Sequence, residues 1–242
     1  MTEAEWLTTA ERAEMVAFLG PRLSARKRRL FACACCRRQW HWAEGTPAAK
    51  AVEVAEAFAD GRASEKKLDA ARKQASAEAQ RTYAEFRHTR GAEPYIAHMH
   101  ASACAVAATA RPAAGAATDF ANVAANLAAQ TFAYESTGVP DSTGGDWGDH
   151  FRAEAAEQAA LLRDVAGNPF CTPAFNLDWL TGDVVLVATG IYDDRAFGQL
   201  PILADALQDA GCNRDDLLNH LRDPNTPHAR GCWALDLILG YE

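Results

Sequence analysis

Ser24-Ala25-Arg26-Lys27-Arg28-Arg29-Leu30-Phe31-Ala32-Cys33-Ala34-Cys35-Cys36-Arg37-Arg38-Gln39-Trp40 is the stretch whose reading decides the fold. Ser24 is suited to cap a helix, because its hydroxyl can accept from a backbone N–H of the first turn. The helix predicted from it runs through Trp40. Its middle, Leu30 to Cys36, is apolar on every face. A helix apolar all round is buried all round, so this segment is expected at the centre of the core. The basic residues at its two ends are expected to reach solvent from the termini.

Working outward, the same punctuation repeats. Thr8 and Glu11 read as a capping box opening a helix over Arg12–Leu19, stopped by Gly20-Pro21. Pro47 suits the first turn of a helix reaching Ala59, closed by Asp60-Gly61. Ser64 caps a long helix to Thr89, interrupted by Gly91 and Pro94. Two Ala-rich segments follow, about 95–110 and 113–135, parted by Arg111-Pro112. Alanine loses no side-chain entropy in a helix, so this middle third is helical but has few large apolar groups.

Residues 136–149 are rich in Gly, Ser, Thr and Asp and read as a loop, the best candidate boundary between residues 1–135 and a C-terminal subdomain at 150–242. Asp149 reads as the N-cap of an amphipathic helix over His150–Val165. An extended connector, Gly167 to Pro173, comes next. Thr181 then caps a segment in which Val184, Val185, Val187, Ala188, Ile191 and Tyr192 recur at helical spacing. The valine run is compatible with a strand, but the pattern continues for more than ten residues without alternation, which selects helix. Ile202, Leu203, Ala206, Leu207 and Ala210 give a further helix closed by Gly211. Asn213 caps another through Leu221, and Gly231 leads into Cys232–Leu239. No hairpin signal interrupts the series. The expected class is all-α: an irregular helical bundle with Ala-rich middle helices and a C-terminal helical subdomain.

Bulk properties bound the function. The 242 residues carry a formal net charge of −8, which argues against a general nucleic-acid binder. The charge is uneven, since Arg22, Arg26, Lys27, Arg28, Arg29, Arg37 and Arg38 share residues 21–40 with no acid. No run of eighteen apolar residues exists, so no membrane span is expected. The acidic start, Met1 to Trp6, lacks a secretory h-region, which makes a cytoplasmic protein the default. Seven cysteines, an odd number with Cys33, Cys35 and Cys36 crowded together, read as reduced and mostly buried thiols.

One group of residues approaches chemistry. Cys212, His220, His228 and Cys232 offer two thiols and two imidazoles at C-x7-H-x7-H-x3-C spacing. Zinc takes four such ligands in a tetrahedron. His228 and Cys232 are four apart and would share a face if both were helical. The spacing lacks a C-x2-C knuckle, and the competing account makes the cysteines buried packing residues. Cys33 and Cys36 sit three apart but mid-helix in an apolar run, where burial raises a thiol pKa rather than lowering it. His100 and Cys104 supply two ligands at most. The loop Gly144–His150 matches neither a phosphate loop nor a calcium loop. Asp193, Asp194 and Arg195 read as charge pairing at a helix end. No nucleophile elbow, metalloprotease helix or dinucleotide turn is present, so no catalytic and no cofactor-binding residues are assigned.

Several blocks together resemble an uncharacterised family of bacterial proteins of planctomycete type. They are Met1 to Leu7, Arg29 to Arg38 with Trp40, Leu161-Leu162-Arg163-Asp164 with Gly167-Asn168-Pro169-Phe170, Leu200 to Leu207, Ala210-Gly211-Cys212, and His228 to Gly240. The resemblance skips the Ala-rich middle and implies no activity. The leading functional expectation is a non-catalytic helical binding or scaffold protein with a protein partner. The alternative is a zinc-binding protein, whether or not an enzyme, using Cys212, His220, His228 and Cys232. A third reading is an anion or nucleic-acid surface on the basic 22–38 segment.

Overall fold

Small side chains set the architecture around the buried helix. The computed structural model describes residues 1–109, 119–138, 145–171 and 175–241. Among them the regular structure is twelve α-helices and four short 3-10 turns, with no strand. The all-α class is thus the class found. Helix α1 spans Glu3–Thr8, α2 Arg12–Leu19, α3 Ala25–Arg37, α4 Pro47–Ala59, α5 Glu65–Thr89, α6 Ala92–Ala107, α7 Asp119–Thr137 and α8 Gly145–Ala166. Beyond them lie α9 (Gly182–Asp194), α10 (Leu200–Asp209), α11 (Asp215–Arg222) and α12 (Trp233–Leu239).

Helix α3 is the axis. Leu30 to Cys36 are all buried, and the helix packs against α4, α6, α7 and α8. Ser24 caps it, its hydroxyl accepting from the Lys27 N–H at 3.2 Å. The helix ends at Arg37, and Trp40–Trp42 form a 3-10 turn. Around it, alanine forms much of the contact surface: Ala51 and Ala55 of α4, Ala75 of α5, Ala103 of α6 and Ala121, Ala124, Ala125 and Ala128 of α7 are fully buried. Alanine lets helix backbones approach closely, so these helices gain dispersion contacts where they lack large apolar groups.

Three local expectations shift. The capping box sits at Thr2 and Glu5, not at Thr8 and Glu11: the Thr2 N–H donates to Glu5 Oε2 at 2.7 Å. Thr8 ends α1 instead, and its hydroxyl donates back to the Ala4 carbonyl. Helix α8 starts at Gly145, four residues before Asp149, which therefore lies inside it and pairs with Arg152. Trp147 stacks on Phe151 and tilts against Tyr134 of α7, so tertiary contacts extend the helix through glycine-rich sequence. Arg214, not Asn213, occupies the N-cap of α11.

Two apolar cores share the described residues. Ala159, Leu161, Leu162 and Val165 of α8 belong to the first, with α2 to α7. The second runs from Trp179 to Ile238 and is built by α9 to α12. The division between cores therefore falls after α8 rather than at residues 136–149, of which 139–144 lie outside the described residues. Described residues of α7 and α8, on either side of that stretch, belong to the same core.

The basic ends of α3 do not point to free solvent. Arg26 and Lys27 bind Asp236 of α12, and Arg26 also donates to Asp60 at the end of α4. Arg28 donates to the Gly20 carbonyl, and Arg29 to those of Ala107 and Thr109. Arg37 holds Glu56, and Arg38 holds Glu154 of α8. Most of this charge is spent on buried acids and helix-end carbonyls inside the molecule, which is why α3 can be both cationic and central.

Candidate metal centre

Where the two cores meet, four donor groups converge. Asp164 lies in the last turn of α8, on the same face as Leu161 and Val165, and is fully buried. His220 lies in the last turn of α11, beside the buried Leu217 and Leu221. His228 stands in the extended segment after α11, and Cys232 is the N-cap of α12. One ligand atom from each of Asp164, His220, His228 and Cys232 falls within 4.8 Å of the others.

The backbone around the site is built to hold this geometry. Gly231 takes φ +89°, a conformation that favours glycine, and an added Cβ would sit 2.9 Å from Leu30 Cδ1. The Cys232 N–H donates to the Ala229 carbonyl, and the Ala229 N–H donates to Asp164 Oδ2 at 2.9 Å. That bond fixes one carboxylate oxygen and turns the other, Oδ1, toward the imidazoles. His228 Nδ1 is 2.8 Å and His220 Nε2 3.3 Å from Oδ1. His220 Nε2 is also 3.3 Å from the Cys232 sulfur, which lies 4.0 Å from His228 Nδ1.

Burial would raise the Asp164 pKa, but hydrogen bonds from His220 and His228 outweigh it, and the carboxyl sits below its ordinary value. The Cys232 thiol is pushed well above its ordinary range, first by burial and then by the Asp164 charge, with the N–H groups of Leu235 and Ala234 pulling the other way. A buried carboxylate facing a buried thiol is an arrangement that a divalent cation relieves. The donor set suits one. Ligand bonds of about 2.0–2.3 Å in a tetrahedron put ligand atoms about 3.3–3.8 Å apart. The separations of 2.8, 3.3, 3.3 and 4.0 Å bracket that range.

Three of the four residues expected from the sequence are brought together, and the fourth is not. Cys212 is buried in the second core, outside the group, and Asp164 stands in its place. His228 and Cys232 meet through a glycine turn rather than along a helix face. Asp164 had one legible signal: it lies three residues from Leu161 on the apolar stripe of an amphipathic segment, where a carboxylate needs partners.

The other constellations resolve into packing. Cys33, Cys35 and Cys36 are free, fully buried thiols. Burial pushes up Cys33, while Cys36 is raised first by its hydrogen bond with Cys104. His100 Nε2 donates to the Cys36 carbonyl at 2.9 Å, and burial lowers its pKa. Asp193 pairs with Arg62, while Arg195 reaches across to Glu56 rather than to its neighbours. Gly145 to His150 are helical, and Gly144 lies outside the described residues. A cavity of about 710 Å³ borders the centre, with Asp164 and His220 in its wall between Trp6 and Trp233. No described helix is long and apolar enough to cross a membrane. Comparison with protein-family models, with curated proteins and with solved structures finds no match.

Proposed function

We propose that this protein is a zinc-binding helical scaffold in which Asp164, His220, His228 and Cys232 hold one ion. The observation that carries the reading is the convergence of four chemically suitable donors, Asp164 and Cys232 buried and the two histidines partly so, from three separate helices and a loop. Four protein ligands fill a tetrahedron and leave no position for water, which is the pattern of structural rather than catalytic zinc. The ion would join α8 of the first core to α11 and α12 of the second, so metal affinity becomes docking energy for the C-terminal helices. The resemblance to planctomycete-type proteins supplies no activity and takes no part in this reading.

Elemental analysis of protein purified without a polyhistidine tag tests it. About one zinc per chain is expected, lost on Asp164→Asn or Cys232→Ser. Cobalt substitution should give a thiolate charge-transfer band that Cys232→Ser removes and Cys212→Ser keeps. Metal-free protein that also fails to take up zinc on titration would end the proposal.

A further inference from the structure

A second cleft, of about 460 Å³, shares Pro227 with the 710 Å³ cavity and lies between α3, the Trp40–Trp42 turn, Phe197 and the Pro227–Arg230 segment. Its wall carries four arginines, Arg37, Arg38, Arg195 and Arg230, against one acid, Glu56. Arg38 is satisfied from behind by Glu154 and Glu157 of α8. Arg37 and Arg195 share one carboxylate, and Arg230 has none at hydrogen-bond distance. Arg37 donates to both Glu56 oxygens, at 2.6 and 2.9 Å, and Arg195 donates to the same carboxylate. One acid thus serves two guanidiniums. The carboxylate oxygens nearest Arg230 are 3.7 Å and 4.0 Å away, too far to accept a hydrogen bond. Its hydrogen bond goes to the Asp193 carbonyl, and its Nε is buried without an acceptor.

Crowding of like charge is felt at Arg195. Burial is the largest effect lowering its pKa, Glu56 opposes it, and Arg37 and Arg230 both repel it. Guanidinium groups do not give up their proton in response, so the unmet demand is for an anion. Beside these groups the cleft offers aromatic walls. Arg37 already stacks over Trp40, with 4.2 Å between guanidinium carbon and ring centre, and Phe197 faces the same space.

We propose that this cleft binds a phosphomonoester carried on an apolar or aromatic body, with Arg37, Arg195 and Arg230 seating the phosphate and Trp40 and Phe197 the body. A dianion with three acceptor oxygens matches three forked donors, whereas a monocarboxylate would leave donors unused. The small size of the cleft and the net charge of −8 set this apart from a nucleic-acid surface. Of the basic 22–38 segment, only its last turn takes part.

Phenyl phosphate is the probe, titrated calorimetrically into the native full-length protein at its purified metal content. Saturable one-site binding is expected, weakened at least tenfold in Arg195→Gln and in Arg230→Gln, with circular dichroism unchanged and, for Arg195→Gln, metal content unchanged. Benzoate should bind at least tenfold more weakly than phenyl phosphate. Failure to saturate, equal affinity for benzoate, or full affinity in Arg195→Gln would each overturn the proposal. Should either variant misfold, phenylglyoxal labelling of the native protein decides the matter. Phenyl phosphate should protect Arg195 from modification, and undiminished labelling would count against the site.

Discussion

The two cores solve the same problem with different materials. The first buries a long series of alanines and cysteines around α3, so its helices lie close and its contacts are many and small. The second, from Trp179 to Ile238, buries Leu200, Leu203, Leu207, Leu217, Leu221, Leu235 and Ile191 in four short helices. Area alone favours the leucines: each large apolar side chain removed from water contributes about 1.5–3 kcal/mol, far more than a methyl group. Yet the second unit is small, and small units bury too little to stand without added links. The links are polar. Asp236 and Glu56 join charged partners across the boundary, Asp60 accepts from the Tyr192 hydroxyl across it, and the candidate metal centre lies on the same seam. A shape-filled core needs its neighbours to keep their size; a leucine core docked by charge needs its partners to stay paired.

The sharpest way to break that contrast is at the seam. Asp236 is buried and receives Arg26 at 2.7 Å and Lys27 at 2.5 Å. Asp236→Ala leaves Lys27 without its carboxylate and Arg26 with Asp60 alone, and breaking such a buried pair costs about 3–5 kcal/mol. Urea unfolding followed by tryptophan fluorescence should then show α9–α12 melting ahead of the first core. A single transition at the native midpoint would show that the seam is not held this way.

Within the cores, opposite substitutions should do comparable damage. Leu203, fully buried in α10, leaves a cavity when cut to alanine, and the expected loss is about 2–5 kcal/mol. Ala124, fully buried in α7, has nothing to lose by truncation except its helix propensity, but Ala124→Leu forces added volume between α7 and its neighbours at about 1–3 kcal/mol. Denaturant midpoints of the two variants check this. A neutral Ala124→Leu would mean that the Ala-rich core is loosely packed, and the contrast between cores would vanish.

What the sequence could show follows from how far each signal reaches. Periodicity and caps are local, so α2, α4, α5 and α9 fall at the expected residues, with Ser24, Ser64 and Thr181 capping as expected. The all-apolar run of α3 correctly announced a central helix. Its arginines misled, because solvent is only one of the places a charge can go; Glu56, Asp60, Glu154 and Asp236 lie far away in sequence and gave no local sign of pairing with it. The same reason explains the candidate metal centre. His220, His228 and Cys232 stood close in sequence and were legible as a set, whereas Asp164 arrives from a different core. Cys212 looked equivalent to Cys232, but it faces leucines.

Thiol chemistry sharpens the comparison at its finest grain, because it reads packing without changing it. Cys171 is the exposed thiol, while Cys33, Cys35, Cys36, Cys104 and Cys212 are buried among apolar neighbours. A thiol reacts as its thiolate; burial pushes Cys33 and Cys35 up, and the hydrogen bond with Cys104 followed by burial does the same to Cys36, away from ionisation. Native protein treated with a disulfide reagent should therefore label Cys171 first, with the α3 thiols following only at the rate at which the first core opens. Raising the pH across the neutral range should not close that gap, since thiols whose pKa lies well above the ordinary value remain protonated there. Peptide mapping by mass spectrometry against time gives the order directly. Rapid labelling of Cys33 or Cys36 would show that the alanine-lined core admits solvent, and that its close approach of helices is not what excludes water from α3.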